Sequence, residues 1–126
     1  KDPEIIKYCD LSLIDFTNAD IENVDLSNTN ANIDLEKLYQ KSILNAKLRN
    51  VNLIRQDLDG ILADGADLRG TGIFVSIDKT SIVNTLFSSE SVFMLETKIL
   101  DASEVEKLGI KVEKEEEKDL SLVLKL

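Results

Sequence analysis

Apolar residues return every five positions along most of this chain. Residues 9–33 divide into CDLSL, IDFTN, ADIEN, VDLSN and TNANI, centred on Leu11, Phe16, Ile21, Leu26 and Ala31. Residues 41–75 divide into KSILN, AKLRN, VNLIR, QDLDG, ILADG, ADLRG and TGIFV, centred on Ile43, Leu48, Leu53, Leu58, Ala63, Leu68 and Ile73. A period of five suits neither regular element. In an α-helix five residues advance by about 500°, so the centres would spiral around the rod. In a flat strand successive centres would fall on opposite faces. The chain must therefore change direction once in every quintet.

The residues around each centre supply that change. Two positions after the centre stand Asn18, Asn23, Asn28, Asn45, Asn50, Gly60, Gly65 and Gly70. Asn and Gly tolerate the positive φ that type II and related turns demand. Leu13 and Arg55 depart from this rule. Two positions before the centre the side chain is mostly small or β-branched, as at Cys9, Ile14, Ala19, Val24, Ala46, Val51 and Ala66, and is expected to share the interior. Between them lies a polar position, expected to face outward: Asp10, Asp15, Asp20, Asp25, Asn30, Asn52, Asp57 and Asp67. With a bend of roughly a right angle per quintet, about four quintets close one coil. Stacked coils would lie about 4.8 Å apart and pair through their backbones. The expected fold is an all-β quadrilateral solenoid whose structural core includes Leu11, Phe16, Ile21, Leu26, Leu48, Leu53, Leu58 and Leu68.

The quintets ADIEN, VDLSN and ADLRG resemble the A(D/N)LXX consensus of the pentapeptide repeat family, and the resemblance covers residues 9–75. It implies a right-handed, quadrilateral, parallel β-helix of about four to five coils. The hand comes from the resemblance alone.

The rhythm breaks twice, near 34–41 and near 74–79. The two breaks share an Ile-Asp pair (Ile33-Asp34 and Ile77-Asp78), followed by apolar residues at Leu38 and Ile43 or at Ile82 and Phe87. This reads as an internal duplication with a displaced loop in each copy. A degenerate third block follows, with centres expected at Ile82, Phe87, Val92, Thr97 and Ala102, and with Asn84 keeping the turn residue. Solenoid ends need covers against edge-to-edge stacking. Residues 1–8 are expected to cap one end, with a short helix at 3–7. Residues 9–102 form the repeat, and 103–126 the second cap. That cap comprises a helix over 103–108, capped by Asp101 or Ser103 and stopped by Gly109, then a charged connection at 113–119. The leucines at 120, 122, 124 and 126 then alternate as a strand would. This strand is expected to fold over the last coil or to pair with a second chain as a homodimer.

Composition narrows the chemistry. The chain has 126 residues, no His, one Cys and a net charge of −9. These values fit one folded domain and remove Ser-His-Asp and Cys-His catalysis, ordinary zinc sites and a disulfide framework. A pI near 4.5 argues against neutralising a nucleic-acid backbone, and no apolar run has membrane-spanning length. A cytoplasmic location is favoured. The first residue is not Met, which fits removal of a tag, a signal peptide or a larger parent chain.

No chemical site emerges from the candidates. Acids recur at the outward position, and a repeated surface position is not a convergent pocket. Asp57, Asp59, Asp64 and Asp67 superficially resemble a calcium loop, but Ile61 stands where a third oxygen ligand belongs. Cys9 is expected to be a buried, inert thiol. No catalytic residue, cofactor or metal is expected. Residues 1–36 hold nine acids and two bases, so −7 of the −9 lies there. An acidic end can recruit a basic protein.

Candidate partner contacts are therefore Asp10, Asp15, Asp20 and Asp25, with Tyr39 in the first break. The expected role is non-enzymatic: a rigid scaffold or protein–protein interaction module with a protein partner, without direct nucleic-acid or membrane binding. The family resemblance also implies an alternative, a mimic of duplex DNA that binds DNA gyrase or another topoisomerase. Lys47, Arg49, Arg55 and Arg69 in the middle of the chain speak against it. A third reading, an effector or toxin fragment, rests on the missing Met alone.

Overall fold

The computed structural model describes residues 10–113. The expected cap at 1–8, the thiol of Cys9 and the strand at 120–126 lie outside these residues. Within them the quintet is a β-turn unit. The carbonyl of most centres accepts from the N–H three residues on, as in Val24 N to Ile21 O (3.1 Å), Val51 N to Leu48 O (2.9 Å) and Ile61 N to Leu58 O (2.9 Å). The third residue of each such turn after the first has positive φ: 65° at Asn23, 65° at Asn50 and 74° at Gly70. Arg55 takes the same conformation, φ 74°, without the Asn or Gly that makes it easy. Leu13 is not among the residues of positive φ.

Between turns the chain is extended, and it pairs in parallel with chain about four quintets away. Single-residue bridges join Asp25 to Lys47, Ser42 to Leu62, Lys47 to Asp67, Asp57 to Phe74 and Asp67 to Leu86. The column through Asp25, Lys47, Asp67 and Leu86 is sewn by Lys47 N to Val24 O (2.9 Å), Leu48 N to Asp67 O (2.9 Å) and Leu68 N to Leu86 O (2.8 Å). Leu86 also starts β2 (Leu86–Ser88), which pairs in parallel with β5 (Lys111–Glu113). The paired segments thus run parallel, with sides too short for long ladders.

The centres fill the space inside. Ile43, Leu48, Leu53, Leu58, Ala63, Leu68 and Ile73 are fully buried, and Ile21, Leu26 and Ala31 nearly so. Leu11 and Phe16 are only partly buried against this core. The inward assignment fails for Ile14 and Val24, which are 47% and 38% exposed. Both belong to the first coil, which among the described residues has a neighbouring coil on one side only.

Coils also fit each other through the turn residues. Asn50 Nδ2 donates to Asn28 Oδ1 of the coil before (2.7 Å). One coil later stands Gly70, where a Cβ would lie 2.0 Å from Asn50 Oδ1, and Gly65 has the same relation to Asn45. Glycine is needed there twice over, for its φ and for the amide lying against it.

The breaks are short 3-10 turns. The first contains Leu35–Lys37, capped by Asp34, and Tyr39–Lys41, and it buries Leu35 and Leu38. Its lost backbone pairing is replaced by one side chain: Gln56 Nε2 donates to Ile33 O (2.6 Å) and Gln56 Oε1 accepts from Leu35 N (2.9 Å). The second contains β1 (Phe74–Ser76) and a 3-10 turn at Ile77–Lys79.

The expected third block holds only at its start. Asn84 keeps its positive φ of 57° and Phe87 is buried. Beyond it Phe93, not Val92, points inward and meets Phe87 edge-on with ring centres 5.0 Å apart. Thr97 and Ala102 are exposed. The cause is a hairpin: β3 (Val92–Leu95) pairs with β1 in parallel, then reverses through Glu96 (φ 57°) into antiparallel β4 (Lys98–Ile99). A reversal ends the quintet walk. Helix α1 (Ala102–Lys107) follows, with Asp101 and Glu104 forming a reciprocal capping box and Gly109 (φ 77°) just beyond.

An ion cluster ties β5 to the stack. The Arg69 guanidinium holds Asp67 in two bonds, Nε to Oδ1 (2.9 Å) and Nη2 to Oδ2 (2.6 Å), and bonds Glu113 through Nη1. Burial pushes the Asp67 carboxyl up, but bonds from the Arg69 side chain and backbone, with the nearby Arg49 charge, bring it below its ordinary value. The two carboxylates hold the Arg69 guanidinium more firmly protonated than usual.

Three outcomes follow from this architecture. Leu53→Asp buries an unpaired charge and costs on the order of 5 kcal/mol, so its circular dichroism at 25 °C is that of an unfolded chain; a parent-like melt contradicts the interior assignment. Gly60→Ala meets no neighbour and loses about 1 kcal/mol to its left-handed backbone. Gly70→Ala loses roughly 2 kcal/mol more by striking Asn50, and equal losses in urea titrations would sink the amide-on-glycine fit. The depressed Asp67 carboxyl contributes stability that is fully present above its unfolded value of about 3.9 and is lost as pH falls through the lower folded value. Urea midpoints should therefore fall below about pH 4, and more shallowly in Asp67→Asn.

Candidate interaction surfaces

The outward aspartates have a local task. Oδ1 of Asp10, Asp15, Asp20 and Asp25 accepts from the backbone N–H two residues on, at 3.0, 2.9, 3.1 and 3.0 Å. Asn52, Asp57 and Asp67 do the same for Ile54, Asp59 and Arg69. Each side chain thus steadies the entry to its own turn, as short acceptors do in loops. Bonds from Ser12 and Asn30 lower the Asp10 carboxyl further, and bonds from Thr17 lower that of Asp15.

The coiling decides where these charges point. Successive quintets occupy successive sides, and a side is revisited only after about twenty residues: Asn30 Nδ2 donates to Asp10 Oδ1 (2.8 Å), and Asp25 bridges to Lys47. Asp10, Asp15, Asp20 and Asp25 therefore surround the first coil as a collar, not a stripe along one face. All four are exposed, and no Lys or Arg lies between residues 7 and 37. Along the stack the pattern differs. The column Asp25, Lys47, Asp67, Leu86, Lys111 alternates in sign, with an apolar step. Opposite charges on neighbouring strands attract, so the middle of the stack is internally balanced.

Tyr39 is 45% exposed at the first break and sits beside Gln40 and Lys41, both with positive φ (55° and 49°). Its N–H donates to Ala19 O (3.0 Å), so the loop is pinned against the first coil, next to the collar. Tyr39 and the four aspartates thus share one end of the described structure. Sequence reasoning missed two residues that matter to the packing. Gln56 repairs the first break, and Phe93 replaces Val92 in the core; neither carries a repeat signature.

The remaining acids do not converge. Asp64 accepts from Ser81 Oγ (2.7 Å) and Val83 N (2.9 Å), Asp57 from Asp59 N (2.8 Å), and Asp67 is held by Arg69. Among the described residues no group of three His, Cys, Asp or Glu side chains is placed to hold a metal ion. No helix among them is long and apolar enough to cross a membrane.

The family model described as Pentapeptide repeats (8 copies) matches residues 5–31. No curated protein and no solved structure matched the chain. Within the match, Asn18, Asn23 and Asn28 take the left-handed conformation that recurs at Asn45, Asn50, Gly60, Gly65 and Gly70. Residues 5–31 are thus similar to the pentapeptide repeats of that family.

Proposed function

We propose that this protein is a right-handed, quadrilateral β-helix that acts as a rigid scaffold or protein–protein interaction module and catalyses no reaction. Its acidic first coil, with Tyr39 beside it, is the contact surface for a basic protein. Pentapeptide repeat proteins are commonly non-enzymatic interaction modules. The observation that carries the reading is the collar: Asp10, Asp15, Asp20 and Asp25 use Oδ1 to cap their turns while their charge stays exposed around one end. Such a concentrated field steers a partner of opposite charge. The DNA-mimic reading is less well supported, because a duplex mimic presents acids along its length and the central column here interposes Lys47 and Lys111.

The test uses a fourfold variant, Asp10→Asn, Asp15→Asn, Asp20→Asn and Asp25→Asn. The amide oxygen keeps the turn cap, so the melting temperature should stay within a few degrees of the parent. A protein captured by the parent at low salt should be lost by the variant, and by the parent at about 0.5 M salt. Equal capture by both proteins rejects the collar as the contact surface. Purified gyrase should supercoil DNA equally with and without the protein; inhibition that the fourfold variant relieves would favour the mimic.

A further inference from the structure

Two turns of the stack carry an aspartate directly followed by glycine, Asp59-Gly60 and Asp64-Gly65. Such a pair has a chemistry of its own. The backbone nitrogen after an aspartate can attack that residue's carboxyl carbon, and glycine, without a Cβ, hinders the attack least. The two atoms meet only when the peptide between the residues rotates and the carboxyl swings over it. Whatever anchors either group therefore slows the reaction.

The fold anchors one pair and leaves the other. Gly65 N–H donates to Val83 O of the next coil (2.9 Å), and Asp64 Oδ1 accepts from Ser81 Oγ (2.7 Å) and Val83 N (2.9 Å). Gly65 also lies against the Asn45 amide of the coil before. Asp59 and Gly60 are both exposed. Among the described residues nothing comes within 4 Å of where a Gly60 Cβ would stand, and neither the Asp59 carboxylate nor the Gly60 N–H has a hydrogen-bond partner. The two breaks are the cause. Leu62 N donates to Lys41 O on one side of this turn (2.9 Å), and Thr80 Oγ1 donates to Leu58 O on the other (2.9 Å). The turn at Gly60 thus stacks between the 3-10 turns Tyr39–Lys41 and Ile77–Lys79, where the regular quintets are interrupted.

We propose that Asp59-Gly60 is a modification site at which the aspartate converts spontaneously to isoaspartate, while the fold protects Asp64-Gly65. The Gly60 nitrogen bonds to Cγ of the protonated Asp59 carboxyl. The Cγ–OH bond breaks, and the hydroxyl leaves as water with the proton of the nitrogen. Water then adds to either carbonyl of the five-membered imide. Opening at the former backbone carbonyl sends the main chain through Cγ and leaves a free α-carboxylate. The protein regains its mass, but its main chain gains one methylene between the centres Leu58 and Ala63. A quintet has no slack for an added atom, so the modified turn no longer aims Ile61 and Ala63 inward as before. The proposal is independent of the acidic collar.

The whole protein is aged for weeks at neutral pH and body temperature, folded and in urea. Isoaspartate is measured by enzymatic methylation of its α-carboxylate and located by peptide mapping with electron-transfer fragmentation. In the folded protein, position 59 should convert several-fold faster than position 64. In urea, where the anchors are gone, the two should convert at similar rates. Asp59→Glu, whose ring would be six-membered, should remove the folded-state signal at position 59. Equal conversion at 59 and 64 in the folded protein overturns the proposal, as does an unmodified position 59 in folded protein whose urea sample converts. A difference between the two positions that persists unchanged in urea overturns the protective role of the fold.

Discussion

This structure depends on one backbone requirement: nearly every quintet that turns puts its last residue into the left-handed region, Leu13 being the exception. The chain then bends soon enough for the next apolar centre to enter the same interior. Asn and Gly meet the requirement at low cost, and the preceding aspartate steadies the turn from outside by accepting the N–H two residues on. The turn in turn fixes the coil, the coil stacks the centres, and the stack buries Leu48, Leu53, Leu58 and Leu68 completely. Burial of this kind is the main favourable term, but here it is available only because the bends are right. Arg55 shows that the bend prevails over residue preference once its neighbours are in place.

The same coupling explains why the aspartates are poor candidates for chemistry. Their spacing serves the turn, and the turn sends consecutive members to different sides of the coil. Groups that recur in sequence are thereby separated in space. What remains available to them is a field, summed over one end of the molecule. Farther along, the Asp25, Lys47 and Asp67 column and the Arg69 cluster with Asp67 and Glu113 spend their charges on each other.

Much of this was legible in the sequence, and for a physical reason. A repeat states the same geometric demand many times, so Leu48 and Asn50 confirm what Leu26 and Asn28 suggest. Features made only once have no such redundancy. Gln56 occupies a small-residue position and has no local mark of its task, because its partners, Ile33 O and Leu35 N, lie more than twenty residues away. The β3–β4 hairpin turns at a Glu, not a Gly, so nothing in the composition announces the reversal that displaces Val92 in favour of Phe93. The collar was hidden for a different reason. The acids themselves were plain, but their separation onto different sides exists only after coiling. Ile14 and Val24 kept the right residue type and lost the burial, because an end coil has fewer neighbours than a middle one.

The parallel bridges also bear on how such a chain reaches its native state. Their partners are separated by 17 to 22 residues in every case. Each coil thus meets nearly the same loop-closure cost as the next, and no single pairing must wait for the two ends of the chain to meet. Such a stack can nucleate at any coil and grow outward, and the central coils, where Leu48, Leu53, Leu58 and Leu68 are fully buried, gain most from it. The partly exposed first coil, with Leu11 and Phe16, is then the last to be laid down on its side and the first to fray. The acidic surface would thus sit on the least firmly held coil, where local opening and partner binding draw on the same small free energy.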